Sequence, residues 1–157
     1  MIRSIELTNF RVYEHAVIEL HEGVTAVIGK NAQGKTSLVE AMSYLSTLHS
    51  FRGVQNEALV REGNDTAYVR AVVVHDDGRE ILVEAEINRA GRNKVLVNKQ
   101  RLARVHDLLG VVRCTVFAPT DLQLVYEGPV VRRDMMDDAL TALAAKNDVL
   151  RREVDRI

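Results

Sequence analysis

The chain predicts an α/β fold of α+β character, and three observations carry that reading. An apolar run, Val24-Thr25-Ala26-Val27-Ile28, leads into Gly29-Lys30-Asn31-Ala32-Gln33-Gly34-Lys35-Thr36, and a helical pattern follows from Ser37. Through the middle of the chain, about residues 67–100, apolar and polar residues alternate between short turn sequences. That is the pattern of an antiparallel meander and not of a βαβ repeat. From Gly128-Pro129 onward the pattern is helical, with proline at a first helical turn, where its missing N–H is not needed.

Each element has a local reason. Met1 to Leu7 alternates as a strand, Thr8-Asn9-Phe10-Arg11 turns the chain, and a second short strand centres on Ala16 to Leu20. His21-Glu22-Gly23 supplies a tight bend, since glycine accepts turn conformations that other residues resist. Val24 to Ile28 is expected as a third, buried strand feeding the loop at Gly29. Leu38, Ala41, Met42 and Leu45 keep the i, i+3, i+4, i+7 spacing of a helix with one buried stripe, ending near Thr47 to His49. Ala67 to Val74 and Ile81 to Ile87 are expected strands, joined by the hairpin turn Asp76-Asp77-Gly78. In the second of these, Ile81, Val83, Ala85 and Ile87 share one face, and Glu84 and Glu86 the other. After the turn Asn88-Arg89-Ala90-Gly91 a third strand is expected at Lys94 to Val97, and a further one at Val111 to Phe117, closed by Pro119. Met136, Leu140 and Leu143 form a helical stripe, read either as ordinary helix core or as an arm that packs on further sequence. Within Asp148 to Ile157 no glycine, asparagine or proline acts as a stop signal.

Composition narrows the function classes. With 157 residues, 46% hydrophobic and 27% charged, the chain suits one globular domain. A net charge of −1 means that any contact with nucleic acid depends on a local patch. The lone Cys114 cannot form an internal disulfide and reads as a small buried hydrophobe, which fits a reducing cytosol. No stretch approaches about 18 uninterrupted apolar residues, so a soluble, cytoplasmic protein without a membrane span is expected. The histidines are scattered, and none has a partner at zinc-ligand spacing.

The chemistry centres on the pattern G-x-x-x-x-G-K-[ST] at Gly29 to Thr36. Between a strand and a helix start, free backbone N–H groups and the positive end of the helix dipole face a polyphosphate. The backbone of Asn31 to Gly34 would form the anion nest. Lys35 would reach the β- and γ-phosphates of ATP, and the Thr36 hydroxyl would hold Mg²⁺. Cutting the phosphate also needs an acid at the end of an apolar strand, and no convincing one follows. Asp121 comes too late after the run from Val112, and Asp76 in Val72-Val73-Val74-His75-Asp76 is read as part of the hairpin turn. Asn98-Lys99-Gln100-Arg101 begins like a guanine-reading N-K-x-D element but has arginine where the acceptor aspartate is required. The expectation is a chain that cradles ATP without completing its hydrolysis, which should stay near background.

Several segments together resemble the RecF family of bacterial DNA replication and repair proteins, relatives of the ABC-type and SMC-type ATPases. They are Leu7-Thr8-Asn9-Phe10-Arg11-Val12-Tyr13, the loop with Leu38-Val39-Glu40-Ala41, the run Phe117 to Val125, and Gly128-Pro129 with Arg132-Arg133. The resemblance extends over essentially the whole chain. It implies a P-loop ABC-type ATPase lobe, with residues 1–128 the N-terminal part of the ATP-binding domain and residues 129–157 the start of a helical arm. Within the former, a phosphate-loop lobe spans residues 1–66 and an antiparallel β subdomain about residues 67–100. Family members are longer, and their acidic strand and signature motif lie beyond the part resembled here, so the chain is similar to an N-terminal fragment. Ala32 stands where the wider superfamily often has glycine, and RecF-like loops accept it.

The resemblance further implies an ATP-dependent homodimer, binding to single-stranded and gapped DNA, and work with RecR and RecO to load RecA in recombinational repair and the SOS response. Arg11 matches an arginine that approaches the nucleotide phosphates in related ATPases; the other reading is a surface arginine in a turn. Arg132 and Arg133, and the loose set Lys94, Lys99, Arg101 and Arg104, are candidate DNA contacts or solvated charges. Two other function classes stay open: a nucleoside-kinase-like phosphotransferase, which would need parallel strands and an arginine-rich lid, and a non-catalytic module dimerised by nucleotide.

Overall fold

A computed structural model describes residues 1–102, 108, 111–126 and 128–143. Its centre is one six-stranded antiparallel sheet of order β2-β1-β3-β4-β5-β6. The strands are β1 (Ile2–Phe10), β2 (Tyr13–Glu19), β3 (Thr66–Val74), β4 (Glu80–Asn88), β5 (Lys94–Val97) and β6 (Gln100–Arg101). The boundary expected near residue 66 therefore falls inside a shared sheet: β1 lies between β2 and β3, paired to both. A helix, α1 (Lys35–Thr47), connects the two parts, and the short α2 (Gln123–Tyr126) and α3 (Pro129–Leu143) follow the sheet.

Period-two alternation sorts the sheet's faces. Ile5 and Leu7 of β1, Ala67, Val69, Ala71 and Val73 of β3, and Val83, Ala85 and Ile87 of β4 are buried on one side. Against them pack Leu38, Ala41, Tyr44 and Leu45 of α1. The helix is set down where its i, i+3, i+4, i+7 stripe can leave water, since each fully buried large apolar side chain contributes about 1.5–3 kcal/mol. The other face carries charge in register. Arg70 lies opposite Glu6 on β1 and Glu84 on β4, and pairs with both at 3.6 and 3.0 Å. Glu86 faces Lys94 across β4 and β5 at 2.7 Å. Such cross-strand pairs add a few tenths of a kcal/mol each and disfavour a one-residue slip.

The turns follow from their residues. Gly78 takes φ 81° in the β3–β4 hairpin, where Asp77 accepts hydrogen bonds from the Arg79 N–H and guanidinium. Those donors hold the Asp77 carboxyl below the usual carboxylate range. The segment Asp76-Asp77-Gly78 is thus the turn expected. β5 and β6 meet through Asn98 and Lys99, both at positive φ (50° and 65°), the geometry of a two-residue hairpin turn. This gives Asn98-Lys99 a structural role, and β6 is a strand that sequence reading missed because only two residues form it.

Two expected strands are not strands. Residues 24–28 lie outside any strand pairing among the described residues, with Val24 100% and Ile28 91% exposed. Their apolar character favours burial, but a strand exists only through hydrogen bonds to a neighbour. Residues 113–118 are likewise irregular, with Val112 in a lone bridge. Cys114 is half-buried there, its thiol pushed up by burial. Asp121 closes a 3₁₀ turn, Pro119–Leu122, by accepting from the Ala118 N–H at 2.6 Å. Helix α3 starts at Pro129 as expected, but Met136 and Leu140 are 63% and 50% exposed and not core. The stretch Asp148 to Ile157 lies outside the described residues. No helix among the described residues is long and apolar enough to cross a membrane.

One polar contact fixes α1 to the far end of the sheet. Tyr44 is 1% exposed, and its hydroxyl accepts from Asn93 Nδ2 at 3.0 Å, just before β5. Burial pushes its pKa up to about 12. The neutral phenol is favoured in the folded state, so this stability is fully present below pH 10 and falls as pH rises from about 10 to about 12. Tyr44→Phe should lower stability by about 1 kcal/mol at neutral pH. It should also flatten the loss between pH 10 and 12 in denaturant titrations; an unchanged alkaline profile would disprove the burial account.

Candidate functional site

The site is built where β1–β2 meets the start of α1. Gly34 immediately precedes the helix at φ 92°, with no side chain capping it and no acidic residue in the helix's first turn. The helix's first N–H groups thus lack intrahelical partners, beside the positive end of its dipole. Residues 29–33 form an exposed loop in which Ala32 takes φ 63°. Alanine thus takes a left-handed conformation where the wider superfamily often has glycine, at a cost of roughly 1–2 kcal/mol.

Lys35 folds back into the loop. Its Nζ donates to the carbonyls of Gly29 at 2.7 Å and Lys30 at 2.6 Å. An ammonium held by neutral carbonyls can exchange them for a stronger, charged acceptor. Thr36 is exposed at the helix start, beside Lys35. Gly34 marks the closest approach: a Cβ built there would lie 2.7 Å from Val12 Cγ2 and 3.0 Å from the Tyr13 ring. The Tyr13 hydroxyl donates to the Gly34 carbonyl at 3.1 Å. The residues fit a polyphosphate: an uncapped helix start, an anion-free first turn, a backbone cradle without room for a side chain, and an ammonium beside it.

Arg11 is neither solvated nor loose. It opens the two-residue turn between β1 and β2 at φ 54°, and its side chain is 17% exposed. Nε and Nη2 donate to the two carboxylate oxygens of Glu40 at 2.9 and 2.7 Å, and Nη1 donates to the Ala58 carbonyl at 2.7 Å. Sequence reading passed over Glu40 except as part of a resemblance segment. The available signal was an acid on the apolar face of α1, one turn after Thr36.

The candidate DNA contacts separate. Lys94 is tied to Glu86, Arg101 lies on β6, and Lys99 sits in the turn before it. Arg132 and Arg133 are exposed on α3, and Arg104 lies outside the described residues. Among the described residues no group of three or more His, Cys, Asp or Glu is set to hold a metal ion.

The family model for the AAA ATPase domain matches residues 1–101. The chain belongs to the AAA ATPase domain family. Within it the likeness is to RecF, as the sequence segments imply. The chain is 46% identical over 156 residues to the DNA replication and repair protein RecF of a Nocardioides species, and 41% identical over 155 residues to that of Acidothermus cellulolyticus. Each match covers 99% of this chain but only 37% and 42% of the relative, so the chain spans about two fifths of the curated relatives it matches. A solved structure of the recombination mediator protein RecF with ATPrS, in the RecFOR pathway, superposes with a TM-score of 0.88. It is 32% identical, over 93% of this chain and 39% of that one. A structure of an SMC ATPase superposes at 0.72 and 22% identity, which shows the shared fold alone.

Gly34→Ala puts a methyl group against the Val12–Tyr13 turn at a backbone angle that favours glycine. It should cost about 1–3 kcal/mol. Thermal denaturation of the full chain checks this; an unchanged midpoint would mean that the turn simply gives way.

Proposed function

We propose that the chain binds ATP with Mg²⁺ at Gly29, Lys30, Asn31, Ala32, Gln33, Gly34, Lys35 and Thr36. The carrying observation is the junction at Gly34: an uncapped helix start with Lys35 poised against loop carbonyls. When bound, the magnesium nucleotide supplies a concentrated negative charge and a phosphoanhydride. The backbone N–H groups of Asn31 to Gly34 would donate to phosphate oxygens. The Lys35 ammonium would leave Gly29 and Lys30 for the outer phosphates, and the Thr36 hydroxyl would hold the metal. The names of the RecF structures similar to this chain, which include ATP, support the same reading.

The reading extends to a RecF-type role in DNA replication and repair. In it the chain contacts single-stranded and gapped DNA, forms an ATP-dependent homodimer, and works with RecR and RecO to promote RecA loading in the SOS response, in the cytoplasm. The names of the relatives support this assignment. The all-antiparallel sheet among the described residues speaks against a nucleoside-kinase-like enzyme, whose substrate pocket would need parallel strands.

Lys35→Ala should weaken ATP binding by roughly 2–3 kcal/mol, about 30- to 150-fold, the value of a charged hydrogen-bonding group. Equilibrium titration with magnesium nucleotide measures it. Full affinity in that variant would end the nucleotide reading.

A further inference from the structure

We propose that Glu40 is a positioning residue for the phosphate loop, acting through Arg11 and the turn that Arg11 begins. The proposal rests on the nucleotide reading of residues 29–36 and assigns what holds that loop in shape. Glu40 has no exposed surface. A carboxylate buried so completely persists as an anion only if its charge is matched and its oxygens are hydrogen-bonded. Both conditions are met. Arg11 grips it through two parallel hydrogen bonds, at 2.9 and 2.7 Å, and the Ser50 hydroxyl donates to Oε1. Arg52 Nη1 lies 3.8 Å from Oε2.

The other end of this contact is the loop itself. Arg11 sits at φ 54°, where a non-glycine residue needs outside support, and its N–H donates to the Leu59 carbonyl at 2.8 Å. Fixing Arg11 fixes the two residues after it, and those are the two that meet Gly34. Val12 blocks its Cβ position, and the Tyr13 hydroxyl holds its carbonyl. The path is therefore closed: Glu40 to Arg11, Arg11 to Val12 and Tyr13, and these back to Gly34, at the head of the helix that carries Glu40. It acts as a clamp across the first turn and a half of α1. The Arg11 guanidinium donates from Nε, Nη1 and Nη2 to protein acceptors, and its charge is met by Glu40. This assigns Arg11 to holding the loop and not to touching phosphate.

The two roles separate in the full chain by equilibrium titration with ATP and with ADP. Variants are Arg11→Ala, Glu40→Gln, their combination, and Tyr13→Phe, with the Gly34 amide NMR signal as a nucleotide-free readout. If the clamp holds the loop, Arg11→Ala and Glu40→Gln each weaken ATP and ADP alike, by about tenfold. The double variant is then no weaker than the singles, because both break one contact. Tyr13→Phe, which leaves the ion pair intact, weakens both nucleotides by about threefold, and the Gly34 signal moves in every variant. The proposal is overturned if Arg11→Ala impairs ATP far more than ADP while Glu40→Gln binds normally, since Arg11 would then be a phosphate ligand. It also falls if the variants lose thermal stability but keep affinity and the Gly34 signal. Normal affinity in Lys35→Ala would instead sink the nucleotide reading, while the Gly34 signal would still report on the clamp.

Discussion

The first turn of α1 is held by a carboxylate with no access to water, and the geometry of the loop depends on how that charge is met. Glu40 lies on the same helix as Lys35 and Thr36, and its partner Arg11 lies in the β1–β2 turn. Removing one member of such a pair leaves the other buried and unmatched, at about 3–5 kcal/mol. The pair therefore ties two elements 29 positions apart in sequence, and neither member is removed without cost. It also explains a left-handed arginine in a two-residue turn, where glycine or asparagine would be the unstrained choice.

The sheet is the platform for this arrangement. Its inner face is uniformly apolar and accepts α1, while its outer face carries opposite charges in exact register opposition through Glu6, Arg70 and Glu84. Register and helix placement are thus set by different interactions. Hydrophobic burial decides where α1 lies, and cross-strand pairing decides which residue opposes which. Tyr44 and Asn93 add a directional contact between the helix and the loop before β5. A non-directional packing force would leave the helix free to slide; a buried hydroxyl with its partner fixed does not.

Legibility from sequence varied with how local the cause was. The alternation in β3 and β4 and the Asp76-Asp77-Gly78 turn were plain, since strand period and turn chemistry act between near neighbours. The helix after Thr36 and the proline start of α3 were plain for the same reason. Val24 to Ile28 and Val111 to Phe117 looked like strands because composition registers a preference for burial, not the presence of a pairing neighbour. β6 is too short to carry a period. Arg11 could be matched to a motif, but its contact with Glu40 spans 29 positions and leaves no periodic trace.

The sequence by itself determined the loop at Gly29 to Thr36, the helix that begins there and the meander that follows, because each rests on spacing within a few residues. Only the tertiary structure decided that β1 and β2 join the meander in one sheet, that Lys35 rests on the loop's own carbonyls, and that Arg11 faces Glu40. The physical reason is charge burial. Whether a buried carboxylate is tolerable depends on which distant cation folding brings to it, and that is a property of three-dimensional proximity.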